Sequence, residues 1–585
     1  MSITEELLLL ETPHLIPDRS MSPMFSNFGL CFDGQNAAVG TLVLHYNRFT
    51  RALWEPFIDF GGAGEVRSTF ASTRIVNKDT DCEIIFYDAD AFVVCGRAAA
   101  ARLFCVPDAA LGDVWQAYRD ESTLILQGYS ENGDARDPDQ YAPVVCGVRV
   151  MRGTLRSENG ETLILPDEDG IVRFSVVCRV LDFEINEIKN RLAAAPETAE
   201  DAKEKMRAWA EDCAGGIEAL PEDADTKMTF LTAVSGLLMN LTKAPGNLAG
   251  YVSAFPSRGG YPTHFMWDSA FQNLAYELMN GKIAEDTLLL LAKCERPDGK
   301  IPQFNCSTWS RPHEAQPALL GWAAERYARR VGKESLNEAF ICTIYNALDR
   351  NNRWWLNARM TKYGLISCPH GLETGQDDSP RFDEGPVIAV DMNSYLLSQM
   401  RAAAYFAALA GDASGEAYWN AEAERFAALM IKHLYDPEKN LFFDADLTTG
   451  KPLSLVTLSS LIPLWAGVPL PEDKIRSMIE DYLLNEKYFF GAVPFPSVAY
   501  CEEKYEPAHW WRGPTWMPVA WLMLETLEKY DYTKERDIAA RRLFDVMKND
   551  GVLHELFNSA TGEGLGCDEQ GWTAAIFLRL AAEKE

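Results

Sequence analysis

Residues 390–436 read VDMNSYLLSQMRAAAYFAALAGDASGEAYWNAEAERFAALMIKHLYD, two stretches of helical periodicity separated by GDASGE (411–416). A connector that short and bland sends the chain back antiparallel, so roughly 390–411 and 415–436 form a helical pair. The same texture extends both ways. Candidate helices fall at roughly 227–245, 265–279, 284–296, 315–331, 336–358, 455–466, 471–484, 514–530, 533–549 and 569–583, twelve with the central pair. NGKIAED (280–286), RVGKES (330–335) and YDYTKE (530–535) are short connectors like GDASGE. The connectors between them are long and rich in Trp, Tyr, Arg, Gly and carboxylates. If successive helices run antiparallel, all the long connectors collect at one end. Twelve helices pairing outer with inner would close an (α/α)6 barrel with one motif-lined mouth.

Toward the N-terminus the period changes. TLVLHYNRF, CEIIFYDADAFVVCG, STLILQGYS, VVCGVRVMRG, ETLILP and IVRFSVVCRVLDF are short β-branched or aromatic runs bounded by turn residues. The expected organisation is a β-sandwich-like domain over 1–190, a helical linker over 191–224 and the barrel over 225–585, mainly α overall.

A net charge of −30, with 85 acidic against 55 basic residues, gives no electrostatic footprint for nucleic acid or an anionic membrane. The 13 cysteines are scattered without C-x-x-C or Cys/His ligand spacing, so neither a disulfide framework nor a metal centre is expected, and no cofactor. The leading residues MSITEELLLLETPHLIPDRS lack a basic n-region and are too short to span a bilayer, which makes the cytoplasm the expected compartment. FGGAGEV and CAGGI lack the spacing of a phosphate loop.

The long loops carry the chemistry. YPTHFMWDSAF (261–271) offers Tyr261, Trp267 and Asp268, the Asp near a helix start where a capping role is the bland reading. DGKIPQFNCSTWSRPHEAQPALL (298–320) adds Gln303, Trp309 and Gln316. GLETGQDDSPRF (371–382) holds Glu373, Asp377, Asp378 and Arg381; HELFNSATGEG (554–564) holds Glu555 and Glu563. HWWRGPTW (509–516) sets Trp510, Trp511 and Trp516 around Arg512, a cluster favouring a sugar platform over core packing. His264, His313, His509 and His554 also fall here, as hydrogen-bonding neighbours rather than metal ligands. Indole faces suit the C–H faces of a sugar and carboxylates suit its hydroxyls, so a small carbohydrate is the expected partner. Glycoside cleavage needs one carboxylic acid and one carboxylate, because the transition state is oxocarbenium-like and the leaving oxygen must be protonated.

The set Trp267-Asp268, Gln316-Pro317, E-T-G-x-D-D-S-P-R (373–381), W-R-G-P-x-W (511–516) and E-x-F-N…T-G-E-G (555–564) resembles a clan of inverting α-glycosidases. That clan includes glycoside hydrolase family 63 and the family 37 trehalases; the family 63 side, with its α-glucosidases and glycosylglycerate hydrolases, is the nearer match. The resemblance covers roughly 225–585. It implies an exo-acting inverting hydrolase of a small α-glucoside or α-mannoside, with Asp377 as general acid, Glu555 as general base, and Asp268, Gln316, Arg512, Trp511 and Trp516 around the released sugar. Tyr261, Arg381 and Trp510 complete the expected substrate contacts. Two positions depart from the pattern: Asp377-Asp378 stands where Asp-Asn is frequent, and Glu-Leu-Phe-Asn where Glu-His-Tyr-Asn is. A glycoside phosphorylase on the same barrel and a non-catalytic carbohydrate-binding protein are the alternatives. Glu555, in the position of a base, argues against the first.

Overall fold

The computed structural model describes residues 2–10, 28–33, 38–43, 58–103, 115–131, 141–158, 161–180, 184–244, 248–257, 260–261, 263–305 and 313–583. Trp309, the later part of TLVLHYNRF and the end of IVRFSVVCRVLDF lie outside them. The chain divides into two compact units, one comprising mainly Met1–Glu222 and Val234–His264, the other Asp223–Ala233, Phe265–Asn305 and Ser310–Glu585.

The first unit is built on two antiparallel sheets. The six-stranded sheet runs β1-β2-β3-β8-β13-β12 and the eight-stranded sheet β4-β5-β6-β7-β14-β11-β10-β9. In chain order these are β1 (Phe28–Asp33), β2 (Ala38–Val43), β3 (Ile58–Asp59), β4 (Glu65–Ser68), β5 (Thr73–Val76), β6 (Asp81–Asp88), β7 (Ala91–Arg97), β8 (Ala101–Leu103), β9 (Trp115–Arg119), β10 (Thr123–Glu131), β11 (Tyr141–Arg152), β12 (Thr154–Glu158), β13 (Glu161–Leu165) and β14 (Ile171–Val180). Alternation sets the faces: Ile85, Tyr87, Val93, Ile125, Val145 and Val177 turn to one core. That core is capped by Ile188 and Leu192 of α2 (Ile185–Ala193), which packs on β11 and β14. α1 (Ile3–Leu9) precedes the sheets, and α3 (Ala199–Ala214) packs on α1 and on β6 and β7. The stretch expected as a linker therefore belongs to the first unit. Its Ala202, Met206, Trp209, Ala210 and Cys213 recur at helical spacing and bury one face, which a polar-looking Ala/Glu/Lys composition conceals.

Each expected helix has a counterpart, the first of them divided between the two units at Ala233 and the others in the helical unit. They are α4 (Ala224–Met239), α5 (Met266–Met279), α6 (Gly281–Lys293), α7 (Leu320–Val331), α8 (Glu338–Ala358), α10 (Val390–Ala410), α11 (Ala413–Leu434), α12 (Ile462–Ala466), α13 (Glu472–Met478), α14 (Met517–Lys529), α15 (Thr533–Asp550) and α16 (Gly571–Ala582). A one-turn α9 (Gly371–Thr374) lies inside a long connector. α7 starts at Leu320 rather than 315 because Gln316 precedes Pro317, and a residue before proline is held out of helical backbone.

α5 packs on α7, α7 on α10, α10 on α12, α12 on α14, α14 on α16, and α16 back on α5, a closed cycle. α5 and α16 are buried around most of their circumference. α8 and α15 bury single stripes, the latter Ala539, Ala540, Leu543, Phe544 and Met547. One residue, Asn280, joins α5 to α6, its Oδ1 accepting from the Lys282 and Ile283 amides at 2.9 and 3.2 Å. Because that side chain caps α6, Asn280→Ala should lower unfolding free energy by about 1 kcal/mol, read from urea midpoints at unchanged m-value.

Candidate active site

Three long connectors and the start of α5 bring the expected site together. Trp267 and Asp268 occupy the first turn of α5, and the Trp267 amide donates to Gln316 Oε1 at 3.0 Å, so the loop before α7 is fastened to the helix start. Phe265 is the N-cap, so capping does not explain Asp268. Its carboxyl is buried and pushed well above the ordinary carboxylate range. Burial is the largest cause; its own backbone amide opposes the rise, and the charges of Glu555 and Asp377 add to it. Two carboxylates from distant loops thus act on one buried carboxyl.

The 371–382 loop is held from beneath. After α9 the chain turns at Gly375, φ +72°, where an added Cβ would lie 2.6 Å from the Trp267 ring; only glycine meets both conditions. The Ser379 amide then donates to Gln376 O at 3.0 Å, a tight turn that carries Asp377 at its exposed tip. Arg381 departs from the expectation of a sugar contact. Its guanidinium is wholly enclosed, bonding Asp391 (2.6 and 2.8 Å), Asp444 (2.7 Å to each oxygen), Gln376 Oε1 (3.2 Å) and Ser459 Oγ (2.9 Å). A planar fork matched to two carboxylates is committed to scaffolding. Glu373 is likewise fully buried and paired with Arg359 at 2.7 and 2.9 Å, which takes it out of acid–base chemistry.

In HWWRGPTW, Trp511 and Trp516 stack at 3.8 Å with planes 5° apart. Trp267 lies 5.9 Å from Trp511 and from Trp572, and Trp572 lies 5.9 Å from Trp516. Trp510 is half-buried, with φ +35° and its carbonyl accepting from Trp516 Nε1 at 3.0 Å. A left-handed tryptophan is a costly conformation of the sort found at functional sites. Arg512 pairs with Asp383. This loop is tied on both sides. The Trp511 amide donates to Asp378 Oδ1 at 2.9 Å, and Thr515 exchanges backbone bonds with Phe557 at 2.8 and 3.0 Å.

Glu555 is buried at the start of the hairpin Leu556–Phe557/Gly564–Leu565. Its Oε2 accepts from the Cys567 amide at 3.1 Å, and its carbonyl from Trp572 Nε1 at 3.0 Å. Gly566 (φ +78°) leaves that approach open, since a Cβ there would sit 2.6 Å from Glu555 Oε2. Tyr261 belongs to the first unit, where its amide donates to Ser257 O. Trp572, Asp391 and Asp444 escaped the sequence reading; Trp572 sits within an apolar helix and the two aspartates lie outside the motifs. Among the described residues, no group of three or more His, Cys, Asp or Glu is arranged to hold a metal, and no helix is long and apolar enough to cross a membrane.

Carboxylates around an indole wall on the long connectors of a helical unit fit the chemistry of glycosidic bond cleavage, and comparison with known proteins agrees: this chain is a glycoside hydrolase. It belongs to the mannosylglycerate hydrolase MGH1-like glycoside hydrolase domain family, whose model matches residues 261–573. Mannosylglycerate hydrolase MGH1 of Selaginella moellendorffii is 25% identical over 480 residues, covering 68% of this chain and 94% of that protein. Glucosylglycerate hydrolase of Mycolicibacterium hassiacum is 25% identical over 454 residues, 61% of this chain and 99% of its own. In structure, the family 63 mannosylglycerate hydrolase of Thermus thermophilus, crystallised with glucose, matches with a TM-score of 0.52 at 24% identity, over 60% of this chain and 98% of that one.

Removing Arg381 would strand two buried carboxylates, so Arg381→Met should cost about 3–5 kcal/mol in denaturant unfolding. Asp268 gives a pH signature. The folded state keeps a proton on it that the unfolded chain releases from about pH 4. Stability is therefore full below that value and falls as pH rises through the raised folded pKa. Asp268→Asn should raise the urea midpoint at neutral pH and leave it nearly unchanged at about pH 4.

Proposed function

We propose that this chain is an exo-acting, inverting α-glycoside hydrolase of a small α-glucoside or α-mannoside: a disaccharide, an oligosaccharide or a glycosylglycerate. The reading takes the six-helix cycle as the inner ring of an (α/α)6 barrel and the two-sheet unit as a β-sandwich. The observation that carries it is the tryptophan wall beside buried Asp268, fastened on one side to the turn of Asp377 through Asp378 and on the other to the hairpin that follows Glu555. Relatives named for mannosylglycerate and glucosylglycerate hydrolysis support the substrate class.

Asp377 acts as the acid. Its proton passes to the glycosidic oxygen as the C1–O bond breaks, and the aglycone leaves as the neutral alcohol. Its position at an exposed turn lets it regain a proton from solvent between turnovers. Glu555 acts as the base. It takes a proton from water as the water oxygen bonds C1 on the opposite face, its Oε2 held in place by the Cys567 amide. Asp268, Gln316, Trp267, Trp511, Trp516 and Arg512 shape the pocket for the released sugar, with Trp510 at its edge.

The test is an assay against α-linked disaccharides and glycosylglycerates, with the released sugar's anomer followed by NMR. Release of the β-anomer is expected; the α-anomer would exclude Glu555 as a water-activating base. Asp377→Asn and Glu555→Gln should each lower kcat by about 10²–10⁴-fold with unchanged thermal unfolding, and normal turnover by either would remove that residue from the mechanism. An inverting pair predicts carboxyl groups roughly 6.5–9.5 Å apart in a crystal structure.

A further inference from the structure

The acid and base sit on different connectors, separated by the HWWRGPTW loop, and their spacing depends on what joins the three. On the base side the join is backbone: Thr515 and Phe557 exchange amide bonds at 2.8 and 3.0 Å, two residues from Glu555. On the acid side, Gln376 and Arg381 fasten both ends of the turn to Asp391. Those anchors hold the turn to α10.

Asp383, past the turn, pairs with Arg512 and Lys504 across this gap, and from the turn itself the reach is made by Asp378. Its Oδ1 accepts the Trp511 amide at 2.9 Å, while Oδ2 faces His509 Nε2 at 3.3 Å and Arg512 Nε at 4.0 Å. The groups around it are otherwise engaged, His509 with Glu506 at 2.9 Å, and Arg512 and Lys504 with Asp383. The short backbone bond is therefore the stronger link; the two longer approaches add charge attraction at a carboxylate whose side chain is 34% exposed. We propose that Asp378 is a positioning residue that fixes the distance of Asp377 from Glu555, by bonding the acid's turn to the Trp511 amide and, through Thr515 and Phe557, to the base hairpin. This inference rests on Asp377 being the acid. It also gives a role to an aspartate where asparagine is frequent in the pattern: both side chains offer the oxygen that the amide needs.

A misplaced acid fails only where protonation is needed. Fluoride departs with little proton assistance, so α-D-glucosyl or α-D-mannosyl fluoride tests the rest of the machinery without the acid. Each fluoride is compared with the glycoside of the same sugar that the protein cleaves in the panel above. In Asp378→Ala, kcat for the glycoside should fall about 10–100-fold, with KM and thermal unfolding little changed and the fluoride rate retained to within about threefold. Asp378→Asn should restore most of the lost kcat. Equal loss on both substrates, an unaltered glycoside rate, or an asparagine variant no better than alanine would overturn the inference. Asp377→Asn is the control. If it fails to spare the fluoride, the acid assignment itself falls; if it spares the fluoride while Asp378→Ala harms both substrates alike, only the tether is wrong.

Discussion

The helical unit depends on a guanidinium that never meets water. Arg381 lies between Asp391 of α10 and Asp444 in the connector after α11, with Gln376 and Ser459 completing its donors' partners. Taking three charges out of solvent is unfavourable in itself, and the arrangement persists because each charge answers another in matched planar geometry. Its effect is specificity of position. Segments distant in sequence must converge on one fork, so the turn bearing Asp377 is referred to α10 and to the approach to α12 at once. That turn can be exposed at its tip and still be defined in space.

Much of this was legible before any coordinates. The helices followed from periodicity, and the contrast between GDASGE-like connectors and motif-rich ones picked out loops that contact one another. Where the reading failed, residue type did not reveal burial. Arg381 stands in a polar, surface-like loop, and nothing local announces the two carboxylates it meets, one of them more than sixty positions away. The stretch from 191 to 224 read as a helical linker, and its Ala/Glu/Lys composition did not announce the buried stripe running from Ala202 to Cys213. Gly375 and Gly566 were unremarked, since their necessity comes from the Trp267 ring and Glu555 carboxylate pressed against them.

Trp511 and Trp516 were weighed as either core or ligand surface, and the structure shows them packed among other indoles. Trp267, Trp511, Trp516 and Trp572 are all buried, and they pack on one another next to the carboxylates. A wall that is itself well packed would give up little side-chain entropy to a sugar stacking on it, as the proposed function requires.

The Trp511–Trp516 pair has a further, optical consequence. Two indoles 3.8 Å apart and nearly parallel are close enough for their electronic transitions to mix, which splits and signs their ultraviolet circular dichroism. The same pair sits in the loop joined to both carboxylate-bearing segments. The chain thus carries a built-in chromophore whose signal depends on the angle between two rings, and so on how the tryptophan loop is held.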